Sequence, residues 1–307
     1  MKRKWSLLIS LLLAQICLRA QSPEIPAPRP DDQLIYHENY TLSYNEEFEQ
    51  ADWVAYELTR QEVLGSEKRA DNFRSDPLIT SHSASLNDYR GSGYDRGHLA
   101  PAADMKFSPH AMSESFYLSN MSPQDPSFNR GIWKKLEALV RQWAYENKSI
   151  YVVTGPVLNK KDYIRIGANA VAVPEYYYKV ILDMEEPGIK CIGFILPNKK
   201  SDFPPSSYAL SVDDVEIMTG IDFFPALEDD LEIELEARFD KDLWNFESYQ
   251  LPKGKAASTE QTMEGVEYWI NSSNGTRHNP GCRYYGNTKN GYFTDKKEGD
   301  PCGLCGG

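Results

Sequence analysis

The stretch YDRGHLAP at residues 94–101 is the most informative part of this 307-residue chain. Its segment DRGH, at 95–98, places an acidic, a basic and an imidazole side chain within four residues. A second polar stretch, NMSPQ at 120–124, follows, and Asn129 comes soon after it. Imidazole is the side chain whose ordinary pKa lies nearest neutrality, so His98 is suited to exchange protons with water. The pattern predicts chemistry at this part of the chain.

These residue types suit the hydrolysis of a phosphodiester. Such a linkage repels anionic nucleophiles, so a base must deprotonate water and a cation must hold the charge that develops on oxygen. The motif region supplies a base, a cation and an amide that can bind a metal ion. Taken singly, His98 could be an ordinary turn residue and Asn129 the N-cap of a helix. Their joint occurrence favours the chemical interpretation.

The N-terminus has the pattern of a secretory signal. Basic residues at 2–4 precede an apolar run from Trp5 to Cys17, and Ala20 provides a small residue near a cleavage position. A membrane anchor is the alternative, but the apolar run is shorter than a bilayer span. We therefore predict that residues 1–20 are removed, that the protein is secreted or periplasmic, and that it has no stable membrane insertion.

The net charge is −12, and it becomes −16 without the four basic residues of 1–20. Such an acidic chain is unsuited to coating nucleic acid by bulk charge, although a local basic patch remains possible. The motif region contains basic residues of this kind, namely Arg90, Arg96, Lys106, Arg130, Lys134 and Lys135. The acidic stretch from Asp213 to Asp242 is interpreted as a solvated face.

Composition divides the rest of the chain into four parts. Residues 21–33 are proline-rich and predict an extended linker. Residues 34–247 carry the regular apolar patterning of one domain. Patterning stops over 248–263, a second predicted linker, and residues 264–307 form a small Cys- and His-containing module.

Apolar patterning predicts the secondary structure of the main domain. Apolar or alternating runs predict strands at 40–44, 53–58, 149–154, 177–183 and 190–196. Helical spacing predicts helices over 131–145, 212–219 and 229–239. The order of these elements is strands, a helix, further strands and further helices. This order favours an α+β fold built as a mixed sheet sandwich.

Together these motifs resemble the DNA/RNA non-specific endonucleases of the ββα-metal, or His-Me finger, type. This family includes secreted bacterial nucleases and mitochondrial endonuclease G. The resemblance covers roughly residues 38–245, and its sharpest carriers are DRGH at 95–98, NMSPQ at 120–124, FN at 128–129, Trp133 and LE at 136–137. It implies a ββα-metal finger, Mg²⁺ or alternatively Mn²⁺ as cofactor, and cleavage of DNA and RNA to products with 5′ phosphates.

The same resemblance implies roles for individual residues. His98 would be the general base, and Asn129 would be the single direct protein ligand of Mg²⁺. Arg96 would hold phosphate oxygens near the scissile bond. Glu137 would support metal-bound water, and Asn120 would orient the site.

Two of the assignments have competitors. The family places an arginine upstream of an aromatic-x-x-Asp-Pro stretch, which here favours Arg69, but Arg74 lies close enough in sequence to compete. Glu137 could instead be a surface salt-bridge partner of Lys134 and Arg141, which lie near it on the predicted helix.

The C-terminal module contains four candidate soft-metal ligands, His278, Cys282, Cys302 and Cys305. A segment this short needs a staple to stabilise it, so we predict a structural Zn²⁺ site and a zinc-ribbon-like fold. The surrounding sequence, including YWIN at 268–271, is similar to small appended metal-binding modules such as Ada-type zinc modules. A disulfide is the alternative in a secreted protein, although three cysteines cannot all pair. Nearby basic and aromatic residues leave a nucleic-acid contact open.

The sequence thus predicts a secreted Mg²⁺-dependent endonuclease whose substrates are DNA and RNA. Two alternatives stay open. One is a phosphodiesterase of the same fold with a narrower substrate. The other is a nucleic-acid-binding or adhesion protein that carries a zinc module and an inactive nuclease fold.

Overall fold

The computed structural model describes residues 22–30, 32–81, 83–185, 188–247, 251, 268–279, 282, 285, 291–294 and 296–302. The chain divides into two compact units, 1–254 and 255–307, which are described separately. The predicted signal at 1–20, nearly all of the predicted linker at 248–263, and Cys305 lie outside the described residues.

The first unit is built on one large antiparallel sheet. Its strands are, in chain order, β1 (Gln33–Tyr36), β2 (Thr41–Asn45), β3 (Gln50–Thr59), β4 (Asp95–His98), β5 (Met121–Gln124), β6 (Ser149–Pro156), β7 (Arg165–Ile166), β8 (Val171–Ala172), β9 (Tyr176–Asp183), β10 (Lys190–Pro197) and β11 (Ala209–Leu210). Seven of these described strands form the sheet in the order β1-β2-β3-β6-β9-β10-β11, and each neighbouring pair is antiparallel. The pairs β4-β5 and β7-β8 are separate. The five predicted strands correspond to β2, β3, β6, β9 and β10.

Helices lie between and after these strands. They are α1 (Arg60–Val63), α2 (Leu86–Tyr89), α3 (Pro109–Glu114), α4 (Pro126–Phe128), α5 (Lys134–Glu146), α6 (Val212–Thr219) and α7 (Asp229–Ala237). Two of them, α6 and α7, begin where the apolar spacing predicts. The predicted start of the central helix at Gly131 is wrong, because Asn129–Trp133 forms a π-helical turn in which Gly131 has non-helical dihedral angles.

Strand β3 explains how the sheet is covered on both faces. Side chains alternate along a strand, and here Val54 and Tyr56 pack into a cluster with the apolar face of α5. Trp53 and Ala55 pack on the opposite side, into a cluster with α6 and α7. An apolar run without polar alternation is therefore required in this strand. The α+β class predicted from the sequence is confirmed.

The proline-rich segment at 22–30 packs against this body. Ile25 contacts the cluster beneath α6 and α7, and the Ala27 amide donates a 2.9 Å hydrogen bond to the Asp222 carbonyl. The Arg29 guanidinium pairs with Asp32 at 2.9 Å. Residues 22–30 therefore contact the first unit, and the assignment of 21–33 as a linker stays a prediction.

A buried histidine links β1 to α3. His37 Nε2 lies 2.8 Å from Asp76 Oδ2, and His37 Nδ1 lies 3.7 Å from Glu114 Oε1, with the His37 side chain only 3 % exposed. Burial alone would lower the pKa of His37, but the hydrogen bonds and charges of the two carboxylates raise it to about 9. Glu114 is the counterpart: burial would raise its pKa, yet the bonds from His37 and Asn39 lower it to about 2.

The free energy of unfolding is therefore expected to fall as the pH rises from 6.5 through about 9, where folded His37 loses its proton. The stabilisation is complete below pH 6.5, and its loss is at most about 3 kcal/mol. Urea unfolding at a series of pH values measures it. His37→Gln should flatten the profile over this range, and an unchanged slope in that variant would contradict the assignment.

The second unit contains a small sheet. Its described strands are β12 (Tyr268–Asn271), β13 (Thr276–His278), β14 (Gly291–Thr294) and β15 (Asp300–Pro301), in the order β14-β12-β13-β15. A turn that ends at Gly275, with φ of +70°, joins β12 to β13. Trp269 and Ile270 are buried.

Candidate active site

The DRGH motif forms strand β4, which pairs antiparallel with β5. Asp95 lies opposite Gln124, and His98 lies opposite Met121. Gly97 is required by close approach, because a Cβ at this position would lie 2.1 Å from the buried Gln124 side chain. The pair is followed by α4, the π-helical turn and α5, which completes the predicted ββα arrangement.

His98 is held in an aromatic pocket. Its ring lies edge-on to Phe116, with centroids 4.9 Å apart, and is tilted against Phe73 at 5.9 Å. The residue is 8 % exposed, and Nε2 has no hydrogen-bond partner among the described residues. Burial, followed by the positive charges of Arg69 and Arg96, lowers the pKa of His98 to about 3.

The electrostatics of this pocket suit a general base. The lowered pKa keeps the imidazole neutral down to pH values far below the physiological range. Its Nε2 has no hydrogen-bond partner among the described residues. An anionic phosphate beside the two guanidiniums would offset their charge and raise the basicity of His98. The ring is therefore uncharged before substrate binds and gains basicity where substrate is present.

Two arginines flank His98 and are held by aromatic faces. The Arg96 guanidinium carbon lies 4.1 Å from the Phe73 ring centroid, and that of Arg69 lies 4.8 Å from the Phe116 centroid. Both residues are exposed. Arg69 Nε donates a 2.7 Å hydrogen bond to Asp71 Oδ1, and the other guanidinium donors of the two arginines are open to a phosphate.

Arg74, the competitor of Arg69, is engaged in structural contacts. Its guanidinium lies 4.0 Å from the Tyr117 ring centroid, and it donates hydrogen bonds of 2.8 Å to the Ser113 carbonyl and 3.1 Å to Ser113 Oγ. The positive charge of Arg69 helps to lower the pKa of His98, whereas Arg74 is not among the causes of that shift. These contacts support Arg69 as the functional arginine.

A matched pair of variants separates the two arginines. Arg69→Ala should lower kcat/KM for DNA cleavage by about 10- to 100-fold, because it removes charged hydrogen bonds to phosphate, with little change in stability. Arg74→Ala should instead lower the free energy of unfolding by about 1–2 kcal/mol, through loss of its stacking and hydrogen bonds. Steady-state kinetics and urea unfolding of both variants measure this. The reverse pattern would make Arg74 the functional residue.

Asn129 lies at the end of α4, where the π-helical turn begins. Its Nδ2 donates a 2.9 Å hydrogen bond to Asp95 Oδ2, and Arg130 pairs with Asp95 Oδ1 at 2.6 Å. Partial burial would raise the pKa of Asp95, but the hydrogen bonds from Arg130 and Asn129 lower it, so this carboxylate stays charged. Asp95 thus orients the Asn129 amide by accepting from its Nδ2. This hydrogen bond leaves Asn129 Oδ1 unused, and such a hard oxygen is the kind of ligand that a divalent ion requires.

The ordinary N-cap interpretation of Asn129 is wrong. Asp125 is the N-cap of α4, and its Oδ1 accepts from the Ser127 amide at 2.7 Å and from the Phe128 amide at 3.3 Å. Helix α5 begins after Trp133 without a side-chain cap. Asn129 is therefore available for another role.

Glu137 lies in the first turn of α5 above a buried charge cluster. Arg141 pairs with Asp104 at 2.8 Å, and the Tyr56 hydroxyl donates to the same carboxylate at 2.7 Å. Burial raises the pKa of Glu137, while Arg141, Lys179 and Arg69 act in the opposite direction. The surface salt bridge with Lys134 or Arg141 is not formed, because no ion pair within 4 Å involves Glu137 in the described part of the chain. The positive charge of Arg69 lowers the pKa of both Glu137 and His98.

Asn120 is fully buried and orients the backbone around His98. Its Oδ1 accepts from the Ala100 amide at 2.8 Å, and its Nδ2 donates to the carbonyls of Ala100 and Ser115, each at 2.9 Å. The Asn120 side chain is therefore committed to backbone groups on both sides of the motif.

A family profile described as DNA/RNA non-specific endonuclease matches residues 21–230. The chain belongs to this family. Its relatives include the mitochondrial nuclease EXOG of Danio rerio, 36 % identical over 66 % of this chain and 63 % of that protein. Human mitochondrial endonuclease G is 36 % identical over 63 % of this chain and 70 % of that protein. A nuclease of Nostoc is 32 % identical over 69 % and 80 %, respectively.

A solved structure agrees with this family assignment. The structure titled as the EndoG/EndoGI complex, on the mechanism of EndoG inhibition, aligns with a TM-score of 0.61 and 33 % identity over 66 % of this chain and 89 % of that chain. The chain spans less than two thirds of the length of the EXOG relatives. No helix among the described residues is long and apolar enough to cross a membrane.

Sequence reasoning missed two residues of the candidate site. Lys179, in the middle of β9, is 1 % exposed, and its Nζ has no hydrogen-bond partner among the described residues. It lies 5.1 Å from the Trp133 ring centroid and contributes positive charge to Glu137. The signal was present, since a lysine at an inward-facing position of an otherwise apolar strand requires a buried charge partner. Asp95 was also given no role, although it fixes Asn129.

The second unit lies outside the endonuclease-family match and brings together three of its four predicted ligands. His278, Cys282 and Cys302 are buried, and their ligand atoms all lie within 4.8 Å of one another. His278 Nδ1 lies 3.3 Å from Cys282 Sγ, and the sulfurs of Cys282 and Cys302 are 4.0 Å apart. That sulfur separation is about twice a disulfide bond length.

Proposed function

We propose that the protein is an Mg²⁺-dependent endonuclease that hydrolyses phosphodiester bonds of DNA and RNA with little sequence preference. The observation that carries the proposal is His98, a buried neutral imidazole whose Nε2 has no hydrogen-bond partner among the described residues and whose two aromatic neighbours each contact an exposed guanidinium. Family membership supports it, because the matched relatives are named as nucleases.

The residues present fit a hydrated magnesium ion. Asn129 would hold it through Oδ1, because Asp95 already engages the amide nitrogen, and Glu137 would hold a water of its shell. When bound, Mg²⁺ supplies positive charge at the phosphate and leaving oxygens. Mn²⁺ suits the same oxygen ligand.

The chain's own residues would carry the remaining steps. His98 Nε2 would accept a proton from the attacking water, and Arg96 and Arg69 would hold the phosphate oxygens. Departure of the 3′ oxygen would leave a 5′ phosphate. Asn120 would keep the backbone beside His98 in place through its three hydrogen bonds.

A cleft beside the motif suits an extended polyanion. It has a volume of about 320 Å³, and its lining includes Tyr94, Arg90 and Arg96. Exposed guanidiniums beside tyrosine rings can contact backbone phosphates and bases without reading sequence. This supports a non-specific nucleic-acid substrate over a small diester.

Supercoiled plasmid and single-stranded RNA, each incubated with the purified protein and Mg²⁺ or EDTA, test the proposal. We expect both to be cut with Mg²⁺, spared with EDTA, and left with 5′-phosphate ends that ligase accepts. Plasmid that is shifted in a gel but not cut would favour the binding or adhesion alternative. Activity confined to small diesters would favour the narrower phosphodiesterase.

We also propose that the protein acts outside the cytoplasm. The support is the signal pattern of residues 1–20. Fractionation of cells that produce the full chain, with mass determination of the exported form, tests this. An unprocessed chain retained in the cytoplasm would overturn it.

The second unit is proposed to hold a structural Zn²⁺ through His278, Cys282 and Cys302, with Cys305 as the fourth ligand. Tetrahedral ligands 2.0–2.3 Å from one ion lie about 3.3–3.8 Å apart, close to the distances of 3.3 and 4.0 Å found here. Zinc would fix the cysteines as thiolates and staple a small sheet that has little core of its own.

Elemental analysis of the purified full chain should therefore find one zinc per chain. Cys302→Ser should lose it, whereas Cys191→Ser, a control in the first unit, should retain it. Alkylation of the cysteines without reductant tests the disulfide alternative. The zinc site would be contradicted by a protein that contains no zinc and has two cysteines that react only after reduction.

A further inference from the structure

An acidic cluster lies on the face of the sheet covered by α6 and α7. Asp213 and Glu216 are one turn apart on α6, and Glu236 is near the end of α7. One carboxylate oxygen from each lies within 4.8 Å of the other two. Interpretation of the whole 213–242 stretch as a solvated face is therefore wrong at this point.

Glu236 makes this cluster different from an ordinary acidic surface. It is only 5 % exposed, yet its Oε1 has no hydrogen-bond partner among the described residues. The preceding residue, Leu235, is buried in the apolar cluster, and its carbonyl accepts from Cys191 Sγ. A buried carboxylate with an unpartnered oxygen is costly unless a proton or a cation compensates for it.

The surrounding charge is negative as well. Burial, followed by the charges of Glu216, Glu232, Asp222 and Asp213, raises the pKa of Glu236 to about 9. Burial and nearby carboxylates likewise raise the pKa of Glu216 to about 7, although its Oε1 accepts a 2.7 Å bond from the Phe223 amide. Among the described ion pairs, none joins these three carboxylates to a basic side chain. The site attracts positive charge that the described residues do not supply.

We propose that Asp213, Glu216 and Glu236 bind a Ca²⁺ ion that joins α6 to α7. Calcium takes six to eight oxygen ligands at 2.3–2.6 Å, and two oxygens on such bonds are at most about 5 Å apart, as these are. The half-buried Asp213 and Glu216 leave room for water to complete the shell. Magnesium fits less well, because it requires shorter bonds and near-ideal octahedral geometry.

The ion would act on stability rather than on chemistry. It would neutralise the repulsion among three carboxylates and tie α7, most of which lies beyond the endonuclease-family match, to α6 within it. The proposal is independent of nuclease activity, so the test uses none.

Thermal unfolding of the full chain, treated with EDTA and then desalted, tests the proposal with Ca²⁺ alone as the probe. We expect Ca²⁺ at about a hundredfold excess over its dissociation constant to raise Tm by roughly 5–10 °C. The rise should persist in Asn129→Ala, which removes the proposed catalytic ligand, and should be smaller with Mg²⁺. Glu236→Gln should abolish it, because an uncharged amide replaces the buried carboxylate that faces the ion.

Glu234→Gln is the matched control, since it removes the same charge from an exposed position of α7. It should keep the full response to Ca²⁺. If Glu236→Gln does not fold, Asp213→Asn gives the same comparison at a half-buried position. The proposal would be overturned by an equal Ca²⁺ response in wild type and Glu236→Gln, or by a larger response to Mg²⁺ than to Ca²⁺. It would also be overturned if the Tm of wild type did not respond to Ca²⁺, and the cluster would then be neutralised by protons alone.

Discussion

Replacing His98 with alanine is expected to lower kcat/KM for plasmid cleavage by about 100- to 10,000-fold, the range that a general base contributes. The loss follows because Nε2 is the uncommitted basic atom beside the two guanidiniums. The fold should survive, since the β4-β5 pairing uses backbone atoms. Nicking rates and the far-UV circular dichroism of the variant measure both expectations.

His110→Ala provides the control for this experiment. His110 is 59 % exposed and pairs with Glu38 and Glu114, so its loss should leave cleavage nearly unchanged. In the wild type, the acid limb of the kcat/KM profile should lie below pH 6.5, because the lowered pKa keeps His98 neutral there. Wild-type activity in His98→Ala would remove His98 from the mechanism.

Replacing Asn129 with alanine is expected to lower cleavage by about 100-fold or more, because it removes the proposed direct ligand of the ion. The Mg²⁺ concentration for half-maximal activity should rise. Asn129→Asp should also be impaired although it keeps an oxygen ligand, because it loses the donor to Asp95 and places two carboxylates together. Metal titrations of the cleavage rate measure these effects.

Asn72→Ala is the matched control for Asn129. Asn72 is exposed, and its amide donates to Ser113 Oγ at 2.9 Å. Its replacement should change neither the rate nor the Mg²⁺ dependence. If Asn129→Ala keeps the wild-type Mg²⁺ midpoint, the ion is held by other groups.

The main secondary structure could be predicted because burial imposes local patterns. Strand β3 is apolar on both faces because both are covered, and that continuous run is visible in the sequence. Helices α6 and α7 likewise begin at their predicted positions. The start of α5 could not be predicted, because a π-helical turn preserves helical spacing while Gly131 leaves the helical conformation.

The candidate site could be proposed from the sequence at His98 and Asn129 because their motifs occur together and resemble the endonuclease family, not because either residue type alone indicates chemistry. It was not predictable where function depends on neighbours distant in sequence. Glu137 resembles a surface residue until the Asp104–Arg141 pair and Lys179 are placed beside it. Glu236 resembles one member of a solvated acidic run until α7 packs on the sheet. Burial from a distant segment leaves no local trace in these cases.

The way Arg96 is held has a consequence for working conditions. Within the described part of the chain Arg96 forms no ion pair within 4 Å, and an uncharged ring supports its guanidinium. Nucleic acid that binds Arg96 therefore need not displace a carboxylate of the protein. For the same reason, dissolved anions can screen the Arg96 guanidinium directly. The proposed cleavage should thus slow in media rich in sulfate or inorganic phosphate, because these anions compete with nucleic acid for the Arg96 guanidinium.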